Sequence, residues 1–108
     1  VMVDEVKFRT AILNILMNAI EAVHPDGGLI QVRTLKKEGR CIIEIADNGV
    51  GVPPENISKL FEPYFTAKEG GVGLGLATTH NIIQSHEGTI DVESEVGKGT
   101  KLIIGINI

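Results

Sequence analysis

Arg40-Cys41-Ile42-Ile43-Glu44-Ile45-Ala46-Asp47-Asn48-Gly49-Val50-Gly51-Val52-Pro53-Pro54 is the stretch on which the fold turns. Residues 40–46 alternate and are rich in β-branched side chains, the pattern of a strand. Asp47-Asn48-Gly49 is good chemistry for a hairpin turn, and these three residues alone leave that reading open. Val52-Pro53-Pro54 follows, however, where a returning strand would need backbone donors that proline lacks. The strand therefore runs into a glycine-punctuated loop over 47–54. A carboxylate at that place can accept a hydrogen bond from the exocyclic amine of adenine, whereas guanine shows a carbonyl at the equivalent edge. Gly49 and Gly51 carry no side chain, so a flat ring can approach the backbone.

Working outward, residues 29–35 alternate like 40–46, and with 36–39 as the turn the two form a hairpin. Upstream, Asp4 is placed to cap a helix over 5–23, in which Phe8, Ile12, Ile15, Leu16, Ala19 and Val23 recur at spacings of three and four. His24-Pro25-Asp26-Gly27-Gly28 stops that helix, and residues 1–3 read as the stub of a strand. Downstream, 55–60 is a short helix and 61–73 is irregular. Helical spacing returns over 74–87 through Leu76, Ile82 and Ile83. Strands over 88–94 and 100–107 flank the turn Val96-Gly97-Lys98-Gly99. There is no repeat, linker or low-complexity tract. The order predicts one α/β domain over residues 1–108: a two-layer α/β sandwich, a mixed β-sheet with helices on one face.

The 108 residues can bury one core. Hydrophobic residues make up 43% and charged residues 22%, the balance of a globular protein. No apolar run approaches the ~20 residues of a membrane span. The single cysteine, Cys41, excludes an internal disulfide, suits a reducing compartment and reads as a buried strand residue without chemistry. A net charge of -4 argues against a nucleic-acid binder, which would carry a basic stripe. Any polyphosphate would be held by backbone amides, a metal ion and a few local cations.

Three further constellations can carry chemistry. Asn14 and Asn18 lie one helical turn apart on a stripe with Glu21, beside the apolar face. The neutral carbonyl oxygen of Asn suits a Mg²⁺ that already carries phosphate oxygens and water, although a pair of solvated asparagines fits the spacing as well. Gly71-Val72-Gly73-Leu74-Gly75 opens a helix, where free N–H groups form an anion cradle. Its G-x-G-x-G spacing is not that of dinucleotide folds, and a flexible loop remains the alternative. Gly97-Lys98-Gly99-Thr100 is no P-loop, because glycine separates the lysine from the threonine and a strand follows. In Phe61-Glu62-Pro63-Tyr64-Phe65-Thr66-Ala67-Lys68, the aromatics can anchor a loop whose Lys68 supplies charge beside a phosphate. An ordinary solvated lysine is the alternative.

Together and in this order, these segments closely resemble the ATP-binding catalytic domain of bacterial sensor histidine kinases. That domain is part of the GHKL superfamily of Bergerat-fold ATPases, which includes gyrase, Hsp90 and MutL. Asn14-Ile15-Leu16-Met17-Asn18-Ala19 is similar to the N box, Asp47-Asn48-Gly49-Val50-Gly51 to the G1 box, Phe61-Glu62-Pro63-Tyr64-Phe65 to the F box, and Gly71-Val72-Gly73-Leu74-Gly75-Leu76 to the G2 box. The match runs from about Asp4 to the end of the chain. The resemblance implies that Asn18 binds Mg²⁺ bridging the phosphates, with Asn14 close to them, and that Asp47 contacts adenine. It implies that Gly71, Gly73, Leu74 and Gly75 line the triphosphate, that Thr100 lies near the base through water, and that Asn14 and Lys68 are the catalytic positions. Val72 stands where many relatives carry Thr or Ser, and Glu21 where some carry Lys.

Hydrolytic members of the superfamily place a glutamate where Asn14 stands. Asparagine cannot take a proton from water, so the resemblance implies transfer of the γ-phosphoryl group to an imidazole, by positioning and charge stabilisation. The implied function is an ATP-dependent protein histidine kinase module of two-component signal transduction. His24, His80 and His86 all read as structural, so the acceptor is expected on a helical dimerisation and phosphoacceptor domain preceding Val1. The expected partners are ATP, that domain and a downstream response regulator, with no nucleic acid and no direct membrane contact. The expected location is cytoplasmic, with a parent kinase that is either soluble or membrane-anchored. Two rivals remain at this point: an anti-sigma-factor serine kinase with similar boxes, and a non-catalytic nucleotide-binding domain.

Overall fold

The structure is a computed structural model that describes residues 4–62 and 75–107. Its elements are α1 (Glu5–Ala22), β1 (Ile30–Lys37), β2 (Arg40–Asp47), α2 (Pro54–Ile57), α3 (Gly75–Ser85), β3 (Thr89–Glu95) and β4 (Gly99–Asn107). α1 begins as the sequence requires: the Asp4 carboxylate accepts from the Lys7 N–H at 3.1 Å. That bond satisfies one of the donors left open at a helix start. Asp4→Ala is expected to lower stability by about 1 kcal/mol, read as a shift in the urea midpoint at unchanged slope.

The start of α1 is held a second time from far along the chain. The Asp4 N–H donates to His86 Nε2 at 2.8 Å, and His86 Nδ1 lies 2.7 Å from the Ile82 carbonyl oxygen. A carbonyl can only accept, so Nδ1 carries the proton and Nε2 is the acceptor. Phe8 meets the same ring edge-on at 6.2 Å. Both imidazole nitrogens are thus used in tying α1 to the end of α3.

β1 and β2 form the expected hairpin, in register from Ile30↔Asp47 to Lys37↔Arg40. Its two loop residues, Glu38 and Gly39, have φ of 51° and 77°. A two-residue turn that matches strand twist needs positive φ at both. β2 does not turn back at Asn48-Gly49, in keeping with the prolines that follow.

The sheet order is β1-β2-β4-β3, and each pairing among the described residues is antiparallel. Among the described residues the sheet is thus wholly antiparallel; the strand stub expected at 1–3, on which a mixed sheet would depend, lies outside them. β2 and β3, joined through helices, do run parallel, but they are not neighbours. The short turn after β3 folds β4 back into the space between them, so β4 pairs antiparallel with both.

The core lies between this sheet and the α1–α3 layer. Ala11, Ile15 and Ala19 enter it from α1, Ala77 and Ile83 from α3, and Ile45, Leu102, Ile104 and Ile106 from the sheet. Each buried isoleucine contributes roughly 1.5–3 kcal/mol. Phe8, Ile12 and Leu16 pack at the margin. Small residues bring the helices close enough for the buried Thr79 hydroxyl to donate to the Ala11 carbonyl at 3.3 Å. Cys41, expected to be buried, is only half-buried, because it sits at the open start of β2. On the outer face of the sheet Glu44 lies between Arg33 at 3.8 Å and Lys101 at 3.6 Å.

Candidate functional site

Strand register builds the site. Ile45, Leu102 and Ile104 face the core, so every second residue along their strands shares that face. At one end of the sheet this places Ile30, Asp47, Thr100 and Ser94 in a single inward-facing row, one from each strand. Ile30, Asp47, Thr100 and Ser94 are each half-buried. A carboxylate and two hydroxyls thus stand where the hydrophobic rows end and the core opens. A shallow depression of about 340 Å³ borders the same row but also draws in Ala46, Glu93 and Lys101, which project from the outer face.

The loop after Asp47 is tied on three sides. Asp47 Oδ1 accepts from the Gly49 N–H at 2.8 Å. The Val50 N–H donates to the Ala22 carbonyl at 3.1 Å, and the Val50 carbonyl accepts from the Gly97 N–H at 2.9 Å. The Leu29 N–H donates to Asn48 Oδ1 at 2.8 Å, while Asn48 Nδ2 donates to the Gly27 carbonyl at 3.0 Å. The last turn of α1, the β3–β4 turn and the 27–29 segment therefore converge on residues 47–51. Gly49 is buried, and a Cβ there would overlap the Ala22 carbonyl.

That contact orients α1 against the site. Asn14, Asn18 and Ala22 follow one another at i, i+4 on one side of the helix, each step rising about 6 Å. Both asparagines are half-buried, and Asn18 Nδ2 donates to the Asn14 carbonyl at 2.9 Å. An asparagine meets a hard cation through its carbonyl oxygen Oδ1, not through Nδ2. Glu21, on the same stripe, is exposed. Among the described residues no three His, Cys, Asp or Glu cluster to hold a metal.

Lys68, Gly71, Val72, Gly73 and Leu74 lie outside the described residues, as do Pro63, Tyr64 and Phe65 of the F box. Gly75 is the first residue of α3. The F-box base is placed: Phe61 stacks on His80 of α3 at 5.2 Å between ring centroids. His24 lies at the end of α1, with its Nδ1 3.4 Å from the Asp26 N–H.

Sequence reasoning passed over Ser94 and the Ala22 carbonyl. Ser94 left a signal, since it is the polar member of an inward series with Ile90 and Val92. The Ala22 carbonyl left none, because any residue supplies one.

Over residues 3–108 the chain matches the family described as histidine kinase-, DNA gyrase B-, and HSP90-like ATPase. It is 41% identical over 101 residues to sporulation kinase B of Bacillus subtilis (strain 168), covering 94% of this chain and 24% of that kinase. The mycobacterial sensor histidine kinase MprB superposes with a TM-score of 0.90 at 29% identity, over 99% of this chain and 76% of the other. Full-length ShkA, solved in complex with AMPPNP, superposes with a TM-score of 0.85 at 28% identity, over 95% of this chain and 22% of the other. The chain spans between 13% and 24% of the length of the curated relatives it matches. Its sandwich is the Bergerat ATP-binding fold, and the chain belongs to the histidine kinase-, DNA gyrase B- and HSP90-like ATPase family.

Proposed function

We propose that the chain holds ATP with magnesium and passes the γ-phosphoryl group to a histidine on a separate helical dimerisation and phosphoacceptor domain of its parent kinase. The observation that carries this reading is the inward row at the sheet end, with Asp47 beside Thr100 and the asparagine stripe of α1 leading away from Gly49. Membership of the ATPase family and likeness to sensor histidine kinases support it.

In this reading Asp47 accepts from the adenine amine, and Ile30 offers an apolar neighbour to the ring. Gly49 and Gly51 keep side chains out of the ring's path. Asn18 Oδ1 holds the magnesium that comes in with the phosphates, and Asn14 lies one turn further along the helix. Magnesium supplies neutralisation of charge on the triphosphate. Gly71, Gly73, Leu74 and Gly75 line the phosphates and Lys68 adds a local cation, as the resemblance implies. Asn14 cannot act as a base toward water, so the site favours transfer to an imidazole, a nucleophile when neutral. The phosphoryl group then moves on to a response regulator. The module works in the cytoplasm without contacting membrane or nucleic acid, and no helix among the described residues is long and apolar enough to cross a membrane.

Two measurements test this. Labelled ATP, the chain and a helical hairpin from the parent protein should yield acid-labile phosphate on histidine; acid-stable phosphoserine would instead favour a serine kinase, and binding without transfer a non-catalytic module. Asn18→Ala should weaken nucleotide binding about tenfold with Mg²⁺ present and much less in EDTA. Equal losses in both conditions would remove Asn18 as a metal ligand.

A further inference from the structure

Ser94 stands at the end of the inward row and has no part in the function proposed above. Its hydroxyl makes three contacts. The Val52 N–H donates to Ser94 Oγ at 2.8 Å, the Gly99 carbonyl oxygen lies at 2.9 Å, and Thr100 Oγ1 lies at 2.8 Å. A serine hydroxyl has one proton and two lone pairs. Val52 can only donate, so it occupies one lone pair. The Gly99 carbonyl can only accept, so it takes the single proton. One lone pair remains toward Thr100, and Thr100 must therefore give its own proton to Ser94. Nothing but lone pairs is left on Thr100 Oγ1 for a group on its other side.

Thr100 sits directly across from Asp47 in the β2–β4 register. Side chains so paired have Cβ atoms about 5 Å apart and can address one ligand together. The Asp47 carboxylate is itself acceptor-only, and its Oδ1 already takes the Gly49 N–H. The end of the row is thus two acceptors wide.

We propose that Ser94 is a specificity-determining positioning residue: by holding the Thr100 proton it keeps both Thr100 and Asp47 as acceptors, which favours a purine with a 6-amino group and rejects one with a 6-oxo group. The inference rests on the reading of Asp47 as the adenine contact, and it takes Thr100 to meet the purine edge directly rather than through the water that the resemblance implies. A 6-amino group brings two N–H donors to this edge. A 6-oxo group brings lone pairs against lone pairs, and it would find a partner only if Thr100 were released to donate. Ser94 also braces the site, because the Val52 N–H it accepts belongs to the loop that carries Gly49 and Gly51. That bracing alone would act on every nucleotide alike.

The test is calorimetric titration of the chain and its variants with ATP and with inosine triphosphate, in magnesium. Ser94→Ala should lower the preference for ATP over inosine triphosphate about tenfold, the net worth of one hydrogen bond. Ser94→Thr keeps the hydroxyl and should restore the preference. Thr100→Val removes the second acceptor and should lower the preference to a similar degree, after which Ser94→Ala should change it no further. Equal loss of affinity for both nucleotides in Ser94→Ala, with the preference intact, overturns the proposal. An unchanged preference in Thr100→Val overturns it as well, even if Ser94→Ala does not fold. If the unaltered chain binds neither nucleotide, the reading of Asp47 fails first and this inference falls with it.

Discussion

Replacing Asp47 by asparagine is expected to lower affinity for ATP on the order of 100-fold, because a hydrogen bond to a charged acceptor contributes about 1.5–3 kcal/mol. The fold should hardly notice. In the proposed function Asp47 has two tasks, and asparagine keeps the one the structure shows: its Oδ1 can still accept from the Gly49 N–H. Alanine keeps neither. Gly49 is buried, so its orphaned N–H would add about 1–3 kcal/mol of instability to the loss of binding. The two variants therefore separate recognition from support. Calorimetry with ATP·Mg²⁺ and thermal melting of both proteins measure the two effects. Unchanged affinity in Asp47→Asn would exclude this carboxylate from nucleotide recognition.

A methyl group at Gly99 should damage the fold more than the loss of the Asp4 cap or of the Asp47 carboxylate. Gly99 is buried with φ of 124°, and a Cβ there would overlap the Asp47 carbonyl oxygen. That oxygen belongs to the backbone of a central strand and has nowhere to go. Gly99→Ala is expected to cost about 3 kcal/mol or more, combining strain with overpacking, and to weaken nucleotide binding by displacing Asp47. Gly97→Ala, two residues earlier, is the control. Its φ of 84° is also left-handed, but nothing lies within 4 Å of the added carbon. It should cost about 1 kcal/mol and leave binding intact. Urea unfolding distinguishes the two, and near-equal midpoints for both variants would show that strand β4 does not press against the Asp47 backbone.

Much of this was legible in the chain because the signals are local. Asp4 caps α1, the first hairpin closes within the expected 36–39 at Glu38-Gly39, and prolines after Val52 prevent a second one at Asn48-Gly49. The apolar positions of α1 were identified, although the deepest of them include the small Ala11, which lets α3 approach closely enough for Thr79 to reach its carbonyl. The strand alternation that placed Ile90 and Val92 inward also placed Ser94 there, but only the sheet register reveals what Ser94 meets. Four of the positions implied for the phosphates and transfer, Lys68, Gly71, Gly73 and Leu74, fall outside the described residues and stand as proposals.

Sequence alone determined which helices and strands form and, to within about three residues, where they begin and end, which faces turn inward, and which boxes stand in which order, because capping, turn chemistry and periodicity act over a few neighbouring residues. The tertiary structure alone decided that β4 lies between β2 and β3, that Asp47 faces Thr100, and that the Ala22 carbonyl sets the loop against α1. Such contacts join residues far apart in the chain, and they follow from burying one shared core rather than from any local preference.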